Sequence, residues 1–260
     1  MDIQPQKQYK VLLVGDSCSD VYHFGCCERL SPEAPVPILE VSDTLVHLGM
    51  AGNVKKNLEA FGVCVDYKTN SEALVKHRYI DKKSNSHLLR VDEGGYTPIE
   101  PLRVENINPL EYDALIISDY NKGFLPEKVC SKLVELFTGK HIFVDTKKQD
   151  LSPFKNCYLK LNKGEYESSY NLDQSSICIV TLGEAGAMLS NTNVFFPTKK
   201  VEVYDICGAG DVFLSAFSYF FLKTLNVEDS IFIANKFASY SVTKFGTSAL
   251  SKEEIKQINE

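Results

Sequence analysis

From residue 113 onward the chain repeats one arrangement: a short apolar run, rich in β-branched residues, that ends on a polar residue. ALIISD stands at 114–119, HIFVD at 141–145, CYLKLN at 157–162 and ICIVTLG at 177–183. Near-continuous apolar runs of this length suit strands buried on both faces, as parallel strands are. KVLLV at 10–14 has the same character and closes on Gly15. A helix at 127–137 lies between two of the runs. Strands alternating with helices predict an α/β fold with a mostly parallel sheet covered on both faces. The 260 residues, 44% of them hydrophobic, suffice for one core, so 1–260 reads as a single domain.

The first half is less regular. The SPEAPVP segment places three prolines in six residues, which argues for an extended loop rather than a helix. An edge strand is expected at 37–43, a helix at 50–61 ending at Gly62, and a short strand at 63–67. Residues 75–92 predict two strands with a turn at 83–85. Further along, 187–196 predicts a hairpin, 201–204 a strand, and the remainder a helix to about 225 and another at 229–245. The net charge of -6, from 28 basic and 34 acidic residues, argues against a general nucleic-acid role. No apolar run approaches the length of a membrane span, and no start-proximal leader pattern is present, so a cytoplasmic location is expected. The eight scattered cysteines form no CxxC pair and read as reduced thiols.

In a parallel sheet, ligands bind beyond the carboxyl ends of the strands. Asp16, Asp119, Asp145, Asn162, Thr181 and Asp205 all fall at such exits. The segment VEVYDICGAGDVF at 201–213 is more specific. Glycines at 208 and 210 let the backbone turn its N–H groups outward, and the helix that follows adds the positive end of its dipole. Together they suit a phosphate, and Asp211 at the helix start is placed to take a proton from an attacking hydroxyl. A plain helix cap would use the same residue types. Neither GxxxxGK[ST] nor GxGxxG occurs in the chain.

DICGAGD resembles the DTxGAGD signature of the ribokinase-like (PfkB) sugar kinases. LGMAGNVKKNLEAFG, HLLRVD, ISDYNKGFL, VDTKK, LNKGEYE and VTLGEAG follow in family order, and the resemblance covers roughly 9–247. The stretch at 14–41, with its ERLSPEAPVP segment, resembles the opening of the bacterial heptose-7-phosphate kinases. The resemblance implies a ribokinase-like three-layer sandwich with a small β lid formed by about 20–45 and 75–95. It implies an ATP-dependent kinase that uses Mg2+ and, in many members, K+. Asp211 then matches the catalytic base, with the backbone of Gly208, Ala209 and Gly210 as the anion hole. Asp205 matches a ligand of the monovalent cation, and Asp16 and Asn53 match sugar-hydroxyl contacts. Asp119 joins this substrate group. Asn162 and Glu165 match an NxxE motif that helps hold magnesium. Thr181 and Gly183 match the nucleotide loop, and Asn235 lies near the expected adenine pocket. Arg90 and Lys122 are the candidate cations for a substrate phosphate. A homodimer through the lid strands is the implied assembly, with a sugar or sugar phosphate as the small-molecule partner.

Some positions depart from the family pattern. Met50 stands where the second glycine of a GG pair is usual, which either narrows the pocket or stiffens the hinge. Cys207 replaces threonine. After Gly62, only VCVDYKTNSEAL precedes VKHRYI, where the family usually places one or two βα units. A parallel crossover needs a dozen or more residues, so a unit is expected to be missing. Two other readings stay open: a kinase of ribose, fructose or another sugar, and a degenerate kinase that only binds sugar or nucleotide.

Overall fold

The structure is a computed structural model that describes residues 7–244, 246 and 249–259. Among the described residues, twelve strands form in chain order. They are β1 (Lys10–Gly15), β2 (Ser17–Leu30), β3 (Pro37–Met50), β4 (Cys64–Thr69), β5 (Val75–Asp81), β6 (Ser86–Glu93), β7 (Ala114–Asp119), β8 (His141–Thr146), β9 (Tyr158–Asn162), β10 (Ile177–Thr181), β11 (Ala187–Leu189) and β12 (Val194–Phe196). The helices are α1 (Ala51–Ala60), α2 (Glu127–Leu136), α3 (Lys163–Ser168), α4 (Ala209–Thr224), α5 (Val227–Ser241) and α6 (Lys252–Asn259).

The apolar runs pair as their burial demands. They form an eight-stranded sheet in the order β12-β11-β10-β9-β8-β7-β1-β4, parallel from β4 to β10 and closed by an antiparallel hairpin. Successive residues of a strand feed opposite faces. Val11 and Leu13 pack with Phe143, Phe213, Phe217 and Phe237 under α1, α4 and α5. Leu12 and Val14 pack with Leu115, Leu133 and Phe137 under α2. Each fully buried side chain of this size stabilises by roughly 1.5–3 kcal/mol.

The second sheet has the order β3-β2-β5-β6. The expected edge strand at 37–43 is the start of the longer β3, and the two expected strands at 75–92 are β5 and β6. β4 is the rim of the main sheet. The chain passes from Thr69 directly into β5 at Val75, with no βα unit between them. Asn70 fastens this shortened link. Its Oδ1 accepts from Ser17 N at 2.7 Å and its Nδ2 donates to the Glu72 carbonyl at 2.7 Å. β4 is built as a rim: Val65 and Tyr67 pack against the core, while Asp66 and Lys68 alternate with them.

The structure corrects two local expectations. Residues 201–204 form no strand; Val203 and Tyr204 are exposed, and Tyr204 N bonds the Val242 carbonyl instead of a sheet neighbour. The α6 helix had no counterpart in the reading from sequence. The expected end of the last helix at Phe245 lies outside the described residues.

Candidate active site

Gly208 caps α4 with φ 80°, a left-handed conformation that glycine adopts without strain. That turn leaves the N–H groups of Gly210 and Asp211 without a backbone acceptor among the described residues. Gly210 also gives the turn close approach to a lysine: a Cβ there would stand 2.7 Å from Lys160 Nζ and would make the ammonium shift. Lys160 comes from the middle of the buried strand β9 and pairs with Asp145 Oδ2 at 2.7 Å. An ammonium is thus lodged directly beneath the glycine turn.

Asp211 is buried, and both its oxygens are held. Asn53 Nδ2 donates to Oδ2 at 2.9 Å, and the Tyr120 hydroxyl donates to Oδ1 at 2.8 Å. Burial raises its pKa to about 6, Asp145 adds to that push, and the bonds from Asn53 and Tyr120 and the charge of Lys160 oppose it. The carboxyl is therefore ionised at neutral pH yet a stronger base than an exposed aspartate.

A cavity of about 510 Å³ opens in front of this group. Gly208, Ala209, Gly210 and Asp211 line it together with Asn162, Thr181, Gly183 and Asn235. Gly183 has φ 61° and follows the β10 exit, while the Thr181 hydroxyl donates to the Leu161 carbonyl at 3.3 Å. Asn235 turns its amide to the Phe196 carbonyl at 3.0 Å.

The other sequence-derived candidates lie behind or beside the cavity. Asp16 is fully buried and accepts from the backbone N–H of Tyr120, Lys122 and Phe124. Burial raises its pKa, Asp119 reinforces this, and those amides counter it. Asp119 accepts from Thr146 Oγ1 at 2.6 Å and pairs with Lys148 at 2.9 Å. These two carboxylates therefore fasten the 119–124 loop, which carries Tyr120. Asp205 likewise accepts from Cys207 N at 2.9 Å and Gly246 N at 3.1 Å. Arg90 is exposed on β6 and paired with Asp92, and Lys122 is exposed; neither lines the cavity.

Glu165 and Asn162 form a capping box on α3: Asn162 Oδ1 accepts from Glu165 N, and Glu165 Oε2 accepts from Asn162 N. The other Glu165 oxygen is taken by Lys147. By contrast, Asp145 Oδ1 is buried with no hydrogen-bond partner, 3.6 Å from Lys147 Nζ, and its side chain lines the cavity. Among the described residues no group of three or more His, Cys, Asp or Glu side chains forms a metal site. Magnesium needs only one or two carboxylates besides water and nucleotide phosphates. The orphaned Asp145 oxygen, with Glu165 nearby through Lys147, fits such an ion.

Tyr120, Lys147 and Lys160 were not singled out by the motifs. Lys160 had a signal: a lysine between Leu159 and Leu161 on a strand apolar on both faces requires a buried partner. Lys147 lies 5.2 Å from the Tyr120 ring centroid. Burial works against its charge, but Asp145 and Glu165 outweigh this and raise its pKa.

Comparison with known proteins agrees with this architecture. Residues 169–254 match the pfkB family carbohydrate kinase model. The bifunctional protein HldE of a Nitratiruptor species is 32% identical over 300 residues, covering 95% of this chain and 64% of that protein. HldE of Helicobacter pylori (strain P12) is 32% identical over 304 residues, covering 95% of this chain and 66% of that protein. The chain thus spans just under two thirds of these relatives. The aligned spans exceed the 260 residues of the chain, so the relatives carry residues that this chain lacks within the matched region. Among solved structures, ribokinase from Thermotoga maritima superposes with a TM-score of 0.68 at 19% identity, covering 96% of this chain and 99% of that one. Phosphofructokinase-2 from Escherichia coli in complex with potassium gives 0.72 at 15% identity, covering 96% and 97%. The fold is ribokinase-like, and residues 169–254 place a pfkB carbohydrate kinase domain in the chain.

Proposed function

We propose that the chain transfers the γ-phosphate of ATP to the anomeric hydroxyl of a heptose-7-phosphate, giving the 1,7-bisphosphate. One observation carries the kinase reading: a buried carboxylate of raised pKa, Asp211, stands at the start of α4 beside unpaired amides and faces a cavity. In this reading the acceptor hydroxyl takes over one oxygen of Asp211 from Asn53 or Tyr120 and gives up its proton there. The Gly208–Gly210 turn and Lys160 meet the charge that develops on the transferred group. Asn162, Thr181, Gly183 and Asn235 line the nucleotide's side of the cavity. Magnesium, held near Asp145 and Glu165, would neutralise the nucleotide phosphates. Asp205 fixes the turn by its two backbone bonds; support of the turn by potassium is a further part of the proposal.

The second sheet acts as the lid that excludes water during transfer. Its outward face carries Val46 at 65% and Leu89 at 57% exposure, which favours pairing of two chains there. No helix among the described residues is long and apolar enough to cross a membrane. A cytoplasmic setting, where ATP is available, is part of the proposal. The choice of heptose rests on the ERLSPEAPVP opening and on the HldE relatives.

The test is ADP release with ATP and magnesium across heptose-7-phosphate, the unphosphorylated heptose, ribose, fructose and fructose-6-phosphate. Turnover confined to heptose-7-phosphate is the expected outcome. Turnover on another sugar alone discards the substrate and keeps the mechanism. ATP binding with no turnover on any sugar makes the chain a binding protein.

A further inference from the structure

β4 ends the main sheet, and among the described residues no strand pairs with its outer edge. Cys64 N bonds the Tyr9 carbonyl, so Cys64 turns its backbone groups towards β1. Those groups alternate sides along a strand, so Asp66 and Lys68 do the same, while Val65, Tyr67 and Thr69 turn theirs outward. None of these outward N–H and C=O groups bonds another described residue. The edge is open where the chain departs from its relatives. They carry residues that this chain lacks within the matched region, and here the chain turns from Thr69 straight into β5.

An unpaired edge is a template for another strand, and charged side chains decide which strand it refuses. Two copies related by a two-fold axis bring identical edges together antiparallel. The outward residues must then face each other, so the registers with most overlap are centred on Asp66, Tyr67 or Lys68. Centring on Asp66 sets carboxylate against carboxylate, and centring on Lys68 sets ammonium against ammonium; both repel. Centring on Tyr67 sets Asp66 of each copy opposite Lys68 of the other, on both sides of the axis. Val65 then meets Thr69, and Tyr67 meets Tyr67. The charges are ready for this. Lys68 makes no ion pair among the described residues, and Asp66, 45% exposed, meets Lys10 at 3.0 Å and the Tyr112 hydroxyl at 2.9 Å through Oδ2, which leaves Oδ1 for a second cation. A lysine that guards this edge against other strands thus matches a second copy of the same one.

We propose that two copies of the chain join edge to edge along β4 in the register centred on Tyr67, so that one sheet runs through both. Each outward residue exchanges its backbone N–H and C=O with one residue of the second copy, and the Asp66–Lys68 pairs fix the register. This surface is separate from the outward face of the second sheet, which belongs to other strands. The pairing is independent of the chemistry in the cavity and stands whatever the substrate.

The test is the oligomeric state by analytical ultracentrifugation over a range of concentrations. It is run in a Leu89→Arg background, which sets charge against pairing through the second sheet. Dimers are expected to persist there. Lys68→Glu places like charges opposite each other at both pairs and should raise the dimer Kd about 10-fold or more. Asp66→Lys should do the same with the opposite sign. Mixing these two variants restores opposite charges at both positions, so the mixture should associate more tightly than either alone. Lys132→Glu, the same charge change on the exposed side of α2, should leave Kd unmoved. Thermal unfolding confirms that each variant folds. Amide exchange gives a reading without substitution at the edge: the N–H groups of Val65, Tyr67 and Thr69 should exchange more slowly as concentration rises. If Asp66→Lys fails to fold, that protection decides. A monomer at every concentration, a dimer indifferent to Lys68→Glu, a mixture no tighter than its components, or amides that gain no protection overturns the pairing.

Discussion

Strand β1 is buried on both faces along nearly its whole length, whereas every residue of β6 is exposed. β1 lies between β7 and β4 under two helical layers, and its side chains alone justify its position. β6 is a rim strand of the smaller sheet, and it mixes Arg90, Asp92 and Glu93 with exposed Leu88, Leu89 and Val91 where β1 is valine and leucine from Val11 to Val14. The difference assigns separate tasks. The main sheet holds Asp211, Lys160 and the glycine turn in fixed relation. The second sheet has little burial of its own, and regions of that kind open locally at low cost. Its inward row is held by ion pairs within the sheet, Arg78 with Asp20 and Arg90 with Asp92.

The largest expected effect falls on the main sheet's side of the comparison. Asp211→Asn should lower kcat by about 10²–10⁴-fold with the fold intact; near-normal turnover would remove Asp211 from the role of base. Next comes the core: Phe217→Ala, a fully buried ring, should cost about 3–5 kcal/mol in denaturant unfolding. A loss under about 1 kcal/mol would mean that the first sheet is not the stable partner.

The pH dependence follows from the raised Asp211 pKa. Only the ionised base works, so kcat/KM should climb with pH through about 6 and level off above it. Stability moves the other way. The folded carboxyl holds its proton more tightly than the unfolded one, so its contribution is complete below about pH 4 and is lost as pH rises through about 6. Asp211→Asn should therefore exceed wild type in stability at pH 8, by up to about 2–3 kcal/mol, and converge with it towards pH 4. A variant no more stable at pH 8 than at pH 4, relative to wild type, would contradict the burial argument. The smallest effect belongs to the second sheet: Leu89→Ala, on its exposed face, should change the unfolding free energy of the monomer by under about 0.5 kcal/mol. Amide exchange should show β6 exchanging far faster than β1.

What could be read from the sequence divides along the same line. ALIISD and HIFVD announce buried parallel strands because their apolar runs are short, rich in β-branched residues and closed by a polar residue. The GAGD turn was visible because glycine is favoured at Gly208, where φ is positive, and at Gly210, where Lys160 Nζ comes close. NKGE was visible as a motif, but the capping box between Asn162 and Glu165 shows only in geometry. Tyr120 was invisible, since its place depends on Asp16 holding a loop from 104 residues away. VEVY at 201–204 alternates as a strand should, yet it pairs with no strand and Tyr204 N bonds the Val242 carbonyl, so tertiary context overrides local pattern.

Met50 was expected either to crowd the pocket or to stiffen the hinge. Its side chain is buried with Cys18 and Leu74 and does not line the cavity, while its backbone takes φ 55° and ψ -133° where β3 turns into α1. For a residue with a side chain, such a conformation stores on the order of 1–3 kcal/mol. The joint between β3 and α1 therefore holds torsional strain in its backbone, and the packing of the Met50 side chain against Cys18 and Leu74 offsets it.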